Sequence, residues 1–334
     1  MTKKEIDEIV AALTDVKENR SYWFVRTQSG DYYKDFLRGG YVAIGYDNIS
    51  LSDIKAANSN ESGKITLTEI IKKKFPEEGR PGFISQQLIE FSYNIKKGDV
   101  VIIPSASSEY ISIGEVTKTP IFIEENKKVG EECPFLKRKA VKWLKKDISL
   151  DRLDSALLVL KYSQKTITKI SDKLSPYIDR EITPIYIKKD NAHLSLSVQK
   201  NDNNGAYAFF QTWSELLELT EEFGKENDLE IKKESFDLKI NVQSPGTIEF
   251  ITYSVIGLVA LSVVIVALIG ADFESKTRPI RFSIKSDGLI KKVTDFLDSK
   301  QDRLFKKQLI EKVKDMEINP DELAKILENV NKKS

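Results

Sequence analysis

The chain of 334 residues contains one histidine, His193, and one cysteine, Cys133. Disulfide frameworks and zinc sites built from several Cys and His ligands need more of these residues. A Ser-His-Asp or Cys-His catalytic arrangement is not indicated, because His193 lies in the strand-like stretch HLSLSV and a structural role is expected there. We therefore predict no enzyme activity, no metal and no cofactor. A hydrolase that uses only carboxylates stays open, since the pairing of Asp and Glu side chains in space cannot be seen in a sequence.

The charges are nearly balanced. Lys and Arg number 52 against 51 for Asp and Glu. A protein that coats nucleic acid by bulk positive charge has a large excess of cations, so that class is excluded. Any contact with a nucleotide must come from a local group of side chains.

The sequence FITYSVIGLVALSVVIVALIGA, residues 250–271, contains no charged residue. Roughly 20 apolar residues cross the ~30 Å hydrocarbon layer of a membrane as a helix. The segment therefore predicts one transmembrane helix, and the protein is expected in the cell membrane as a single-pass protein. The competing interpretation is a buried core helix, which is usually shorter and keeps a polar edge. Residues 1–249 begin without an apolar leader and are expected in the cytoplasm, while the side of the membrane that holds the tail stays open.

Small side chains recur along the predicted membrane helix and favour close approach of two helices. They predict a homo-oligomer, in which the seam forms either a pore or a passive dimer contact. The seam residues are Ser254, Gly257, Ala260, Ser262, Ala267 and Ala271.

Short apolar runs alternate with helical patterns in the rest of the chain and predict an α+β fold. WFVR, YVAIGY and the start of KRKAVKWLKKDI are typical of strands, VVII (100–103) and 110–116 predict a hairpin, and RLDSALLVLKY and SQKTITKIS are interpreted as helical closing elements. We expect an N-terminal helix (1–20), a small β-barrel domain (21–190), a β-α-β-β module (191–249), the membrane helix (250–271) and a small helical C-terminal tail (272–334).

The order of several short pieces in the first domain resembles PUA-like domains of the EVE type. The pieces are WFVR, YVAIG, GDVV, IGEV and RKAVKW, which begin at residues 23, 41, 98, 113 and 138. Similar domains precede the nuclease of some Mrr-type restriction proteins. This chain departs from that arrangement, because no nuclease core of carboxylates and lysine follows.

The resemblance implies a pocket that receives an extruded base or a nucleotide between aromatic walls, with cations at the rim. Tryptophans at strand positions, such as Trp23 and Trp143, are more often core residues than pocket walls, and a run such as KRK is usually a solvated face. The candidate walls are Trp23, Tyr32, Tyr46 and Trp143, and the candidate phosphate contacts are Arg26, Lys137, Arg138, Lys139 and Lys142.

Two functions follow as hypotheses. By domain order, the chain resembles the transmembrane effectors of nucleotide-signalling antiphage systems such as CBASS, Pycsar and Hailong. In that role the cytosolic region would bind a nucleotide or single-stranded oligonucleotide made by a partner nucleotidyltransferase, and the oligomerised helix would form a pore or disrupt the membrane. The alternative is a membrane-tethered reader of modified DNA or RNA bases without channel activity.

Overall fold

The computed structural model describes residues 9–11, 13–119, 121–123, 132–198, 206–241 and 246–270, together with 293, 295, 296 and 308–313. The chain divides into two compact units. One comprises residues 19–182, and the other comprises residues 1–18 and 183–334. Of the predicted N-terminal helix (1–20), residues 9–11 are helical, but Thr14–Val16 form strand β1, so the prediction is wrong for that part. The predicted C-terminal helical tail falls largely outside the described residues.

Residues 19–182 form an α+β unit around a curled, half-barrel sheet. The strands follow one another across the sheet in the order β3-β7-β5-β4-β2-β8, and β6 pairs with β7. Strands β2 and β4 are parallel neighbours, so their carboxyl ends lie at the same edge of the sheet. The bounds are β2 (Tyr22–Val25), β3 (Tyr41–Ile44), β4 (Val100–Pro104), β5 (Tyr110–Val116), β6 (Phe122–Ile123), β7 (Lys137–Ser149) and β8 (Ile167–Lys169).

Two helices of this unit begin at a side-chain cap, and a third begins at a proline. The Ser50 hydroxyl accepts the backbone N–H of Asp53 at 3.1 Å at the start of α2, and the Asn60 side chain caps α3 in the same way. Pro81 is the first residue of α4, where its missing N–H costs nothing. The bounds are α1 (Tyr33–Gly39), α2 (Leu51–Ser59), α3 (Glu61–Lys74), α4 (Pro81–Ile89) and α5 (Ser175–Ile182), with a π-helical turn at Glu90–Asn94 and a 3₁₀ helix at Ser155–Tyr162.

The predicted strands of this unit are confirmed, and one predicted helix is wrong. The hairpin exists, because β4 and β5 pair antiparallel. The stretch SQKTITKIS contains strand β8, which pairs with β2, rather than a helix. The strand pattern centres on Ile167, which is fully buried, whereas Thr166 before it is exposed and Thr168 after it is half-buried.

The other unit is built on a second sheet, in the order β1-β9-β10-β12-β11. The order of strand, helix and two strands predicted for the β-α-β-β module is confirmed here. The bounds are β1 (Thr14–Val16), β9 (Ile185–Lys188), β10 (Asn191–Val198), α6 (Ala206–Glu226), β11 (Phe236–Asn241), β12 (Gly246–Thr252) and α7 (Val255–Gly270).

The predicted transmembrane helix is wrong. None of the helices in the described part of the chain combines the length and the apolar character that a membrane crossing requires. Phe250 and Thr252 belong to strand β12, and helix α7 that follows has 16 residues. From Leu258 to Leu268 its side chains are almost completely buried, and the helix packs against α6, β10 and β12 of its own unit. The single-pass membrane location and the ion channel, which both depend on that helix, are corrected with it.

The small residues of α7 contact their own unit. Gly257 packs against the ring of Phe236, and the Ser254 hydroxyl accepts the Gly257 N–H at 3.0 Å. Ser262 donates to the Leu258 carbonyl at 2.8 Å, one turn back on the helix. The side chains of Ala260 and Ala267 are buried in the same core. Ala271, the last predicted seam residue, lies outside the described residues, and the homo-oligomer stays a prediction.

Candidate functional site

A half-open cavity of about 390 Å³ lies in the unit of residues 19–182. We call it the Tyr46 cavity. Strand β3 supplies its first wall through Ile44, the start of α4 supplies a second, and Thr166 just before β8 supplies a third. The lining residues are Ile44, Tyr46, Glu78, Gly79, Arg80, Phe83, Ile84, Gln87 and Thr166.

Tyr46 is fixed at three points. Its backbone has a positive φ of 62°, and its carbonyl accepts a hydrogen bond of 2.9 Å from the buried Lys137 ammonium. Its ring meets the Phe75 ring edge-on at 5.2 Å between centroids. Its hydroxyl donates to the Glu78 carboxylate at 3.1 Å. A residue other than glycine is rarely held in this strained conformation, and such residues cluster at ligand-binding positions.

Two pKa shifts follow from this packing. Burial raises the pKa of the Tyr46 hydroxyl to about 12, and the bond to the Glu78 carboxylate adds to the effect. Burial also lowers the pKa of the Lys137 ammonium, and the nearby Asp47 carboxylate opposes that change. Tyr46 is therefore a neutral hydrogen-bond donor at physiological pH.

The remaining walls combine an aromatic ring with polar groups of both signs. Phe83 is 38% exposed, a large fraction for a phenyl ring. Gln87 is already occupied, because its amide accepts the Ile167 N–H at 2.6 Å and donates to Glu90. The Arg80 guanidinium is exposed and has no hydrogen-bond or ion-pair partner within the described ranges. A planar ligand can therefore meet a ring, a carboxylate and a free cation in one place.

A second half-open cavity, of about 280 Å³, lies where the parallel strands β2 and β4 end. We call it the Arg26 cavity. Open α/β sheets commonly bind ligands outside the carboxyl ends of parallel strands. The lining residues are Arg26, Thr27, Ser29, Gly30, Pro104, Ser105, Ser107 and Ser108.

Two of the predicted site residues line these cavities, one each: Tyr46 and Arg26. The two tryptophans belong to the hydrophobic core. Trp23 is 3% exposed and its indole donates to the Asp99 carboxylate at 2.9 Å. The Trp143 indole donates to the Phe36 carbonyl at 3.0 Å, and its ring packs against Gly114.

The other predicted residues are spread over the unit. Tyr32 is half-buried and meets the Phe135 ring edge-on. Arg138 is buried and lies over the Tyr41 ring, at 4.0 Å to its centroid. Lys139 is fully buried, whereas Lys142 is exposed. The structure thus does not gather the nine predicted ligand-binding residues into one pocket.

Sequence reasoning missed most of the lining residues. Glu78, Arg80 and Phe83 come from the segment EEGRPGF, where two glycines and a proline before an aromatic residue were the available signal. Three of the four serines of the Arg26 cavity come from PSASS, the turn of the predicted hairpin, and the fourth is Ser29. Within the described residues, no group of three or more His, Cys, Asp or Glu side chains is placed to hold a metal ion.

Comparison with known proteins adds one finding. Residues 23–171 match a family model described as a domain of unknown function, DUF8426. The match covers most of the unit that contains both cavities. Neither the curated proteins nor the solved structures include a match to this chain.

Proposed function

We propose that the unit of residues 19–182 binds a nucleobase, either of a nucleotide or of a single-stranded nucleic acid, in the Tyr46 cavity. The observation that carries the proposal is the Tyr46 ring, fixed from three sides beside a cavity of about 390 Å³. Ligand pockets of roughly 300–1,000 Å³ take small organic groups, and a base fits this range.

Stacking supplies the affinity. Each base that stacks on an aromatic side chain gains about 1–3 kcal/mol, because every base has a flat π-face. A ring that is already fixed loses little side-chain entropy when the ligand arrives. Tyr46 meets this condition, since its ring, hydroxyl and carbonyl are all held by residues of its own unit.

Glu78 supplies a preference among bases. Its carboxylate lines the cavity and, being an acceptor only, can take further hydrogen bonds besides the one from Tyr46. Cytosine and adenine offer an exocyclic amino group to such an acceptor, whereas thymine and uracil lack one. The proposal therefore predicts that cytosine and adenine are preferred over thymine and uracil.

The resemblance to EVE-type domains supports the same chemistry, because it implies a base-receiving pocket in this part of the chain. The membrane-disrupting half of the effector hypothesis is not carried further, since helix α7 is a core helix. The part of the hypotheses that we keep is the binding of a nucleotide signal or of a base in a single strand.

The test compares binding of short single-stranded DNA by the full chain and by Tyr46→Leu. Loss of one stacked base should weaken binding by roughly tenfold. Tyr162→Leu is the matched control, because Tyr162 is 73% exposed and lines neither cavity. Tyr46→Phe keeps the ring and should retain most of the affinity. Binding is measured by titration calorimetry with oligo-dC, oligo-dA and oligo-dT.

Two results would contradict the proposal. One is the absence of binding of every oligonucleotide and mononucleotide to the intact chain. The other is equal affinity of Tyr46→Leu and the parent chain, with circular dichroism showing that both are folded.

A further inference from the structure

The guanidinium group of Arg26 is incompletely satisfied. Its Nε atom is buried, yet it has no hydrogen-bond partner among the residues that the structure describes. A buried donor on a charged group loses more free energy without a hydrogen-bond partner than a neutral donor does. Native proteins therefore rarely leave such a donor unpaired. The same side chain lines the Arg26 cavity.

Hydroxyl groups surround this guanidinium. Those of Ser29, Ser107 and Ser108 have no hydrogen-bond partner within the described part of the chain, and all three residues line the cavity. The hydroxyl of Thr27 is occupied, because it donates to the Pro104 carbonyl at 2.6 Å. No carboxylate lines the cavity within the described residues. One cation and three free hydroxyls are donors suited to an oxyanion.

The two loops that hold these groups are strained and in close contact. Gln28 and Ser29 have φ values of 54° and 55°, and Ser107 and Ser108 have values of 53° and 56°. Gly30 lies so close to the opposite loop that a Cβ there would be 2.3 Å from the backbone of Ala106. Residues in this conformation are energetically unfavourable and persist where the surrounding structure fixes them.

One backbone hydrogen bond joins the lining of the Arg26 cavity to that of the Tyr46 cavity. The Arg26 N–H donates to the Thr166 carbonyl at 2.9 Å, and Thr166 lines the Tyr46 cavity. One strand of nucleic acid can therefore place a base in the Tyr46 cavity and a group of its backbone in the Arg26 cavity.

We propose that the Arg26 cavity binds a backbone phosphate of the nucleic acid whose base occupies the Tyr46 cavity. This inference rests on the proposed function and narrows its ligand from a nucleotide or a single strand to a strand whose backbone phosphate is bound as well. Arg26 binds the phosphate through its guanidinium, and Ser29, Ser107 and Ser108 donate to the remaining oxygens. Together, the two cavities bind one base and a phosphate of the same strand.

The experiment uses two trinucleotides with a central cytosine. One has natural phosphodiester linkages, and the other has uncharged methylphosphonate linkages, so the bases are identical and only the backbone charge differs. The intact chain should bind the phosphodiester trinucleotide roughly tenfold more tightly, the size expected for a hydrogen bond to a charged group. Arg26→Met should lower that preference to about one while still binding the methylphosphonate form.

Arg152→Met is the matched control. Arg152 is exposed in the same unit and lines neither cavity, and its replacement changes the net charge by the same amount. It should keep the tenfold preference. Equal binding of the two trinucleotides by the intact chain, or a preference that survives in Arg26→Met, would overturn the phosphate assignment while leaving the base-binding proposal in place. If neither trinucleotide binds, base binding itself fails.

A measurement on the unsubstituted chain keeps the inference testable in that last case and if Arg26→Met does not fold. Inorganic phosphate is titrated into the chain while the arginine Nε–H signals are followed by NMR. The Arg26 signal should move and the Arg152 signal should not. A stationary Arg26 signal would show that its cavity does not take phosphate.

Discussion

The start of strand β7 and helix α7 have opposite compositions, but both are buried. Lys137, Arg138 and Lys139 are consecutive cations, and each is at most 2% exposed. Helix α7 has no charged residue and is also buried. From the sequence, the first segment was expected at the rim of a ligand pocket and the second in lipid. Whether a segment is buried in the protein thus depends on the groups that bond to it or pack against it, and not on its composition alone.

The two segments are stabilised differently. In β7 each cation has a specific acceptor: Lys137 donates to the Tyr46 carbonyl, Arg138 to the Phe135 carbonyl at 2.9 Å, and Lys139 to the Ser92 carbonyl at 3.3 Å. Buried charges require such partners. Helix α7 needs none, because its backbone is bonded internally and its side chains gain from burial at about 25 cal/mol per Å² of apolar surface.

The largest effect is expected from a charge in the helix. Val264→Asp places a carboxylate without a partner at a fully buried position, and it should lower the free energy of unfolding by about 4 kcal/mol or more. Hydrogen exchange should then accelerate throughout β10, β12 and α6. Tyr253→Asp, at a position that is 69% exposed, should change little. Unaltered exchange in Val264→Asp would contradict the core position of α7.

A smaller effect, with a distinctive pH dependence, is expected from Lys139→Met. Burial lowers the pKa of the Lys139 ammonium to about 8, while the Asp99 carboxylate opposes the shift. Between about pH 8 and 10.4 the unfolded chain therefore binds more protons than the folded chain, so the parent chain gains stability as pH rises through that window. Lys139→Met should lose this rise and be roughly 1–3 kcal/mol more stable near neutral pH.

Urea unfolding from pH 7 to 10.5 measures both effects of Lys139→Met. Lys142→Met is the matched control, because Lys142 is exposed on the same strand. It should keep the rise in stability with pH. A parent chain whose stability is flat from pH 8 to 10.4 would show that the Lys139 amine is not desolvated as the structure places it.

The smallest effect is expected from Ser262→Ala. The Ser262 hydroxyl donates to a carbonyl that already accepts a helical hydrogen bond, so its removal leaves no unsatisfied group. The free energy of unfolding should change by about 0.5 kcal/mol or less. A loss above about 2 kcal/mol in urea unfolding would mean that the hydroxyl has a more demanding partner than the helix backbone.

Much of the first sheet could be predicted from the sequence. Tyr22–Val25 and Val100–Pro104 are continuous apolar runs buried on both faces, and the run that became β5 follows a polar turn. Of the candidate site, Tyr46 and Arg26 were identified as ligand contacts on the strength of a resemblance. Glu78 and Phe83 were missed, because they lie on a loop and a helix start whose approach to Tyr46 depends on long-range packing.

The sequence by itself determined the local structure. Apolar, β-branched runs formed strands, capping residues began helices, and residues 255–270 formed a helix with no polar edge. It also determined that charge is balanced and that His and Cys chemistry is scarce. Only the tertiary structure decided whether that apolar helix meets lipid or protein, and which aromatic rings are walls of a cavity. The physical reason is that apolar surface gains free energy by leaving water whether it enters lipid or a protein core. A cavity, in contrast, exists only where segments distant in sequence meet without filling the space between them.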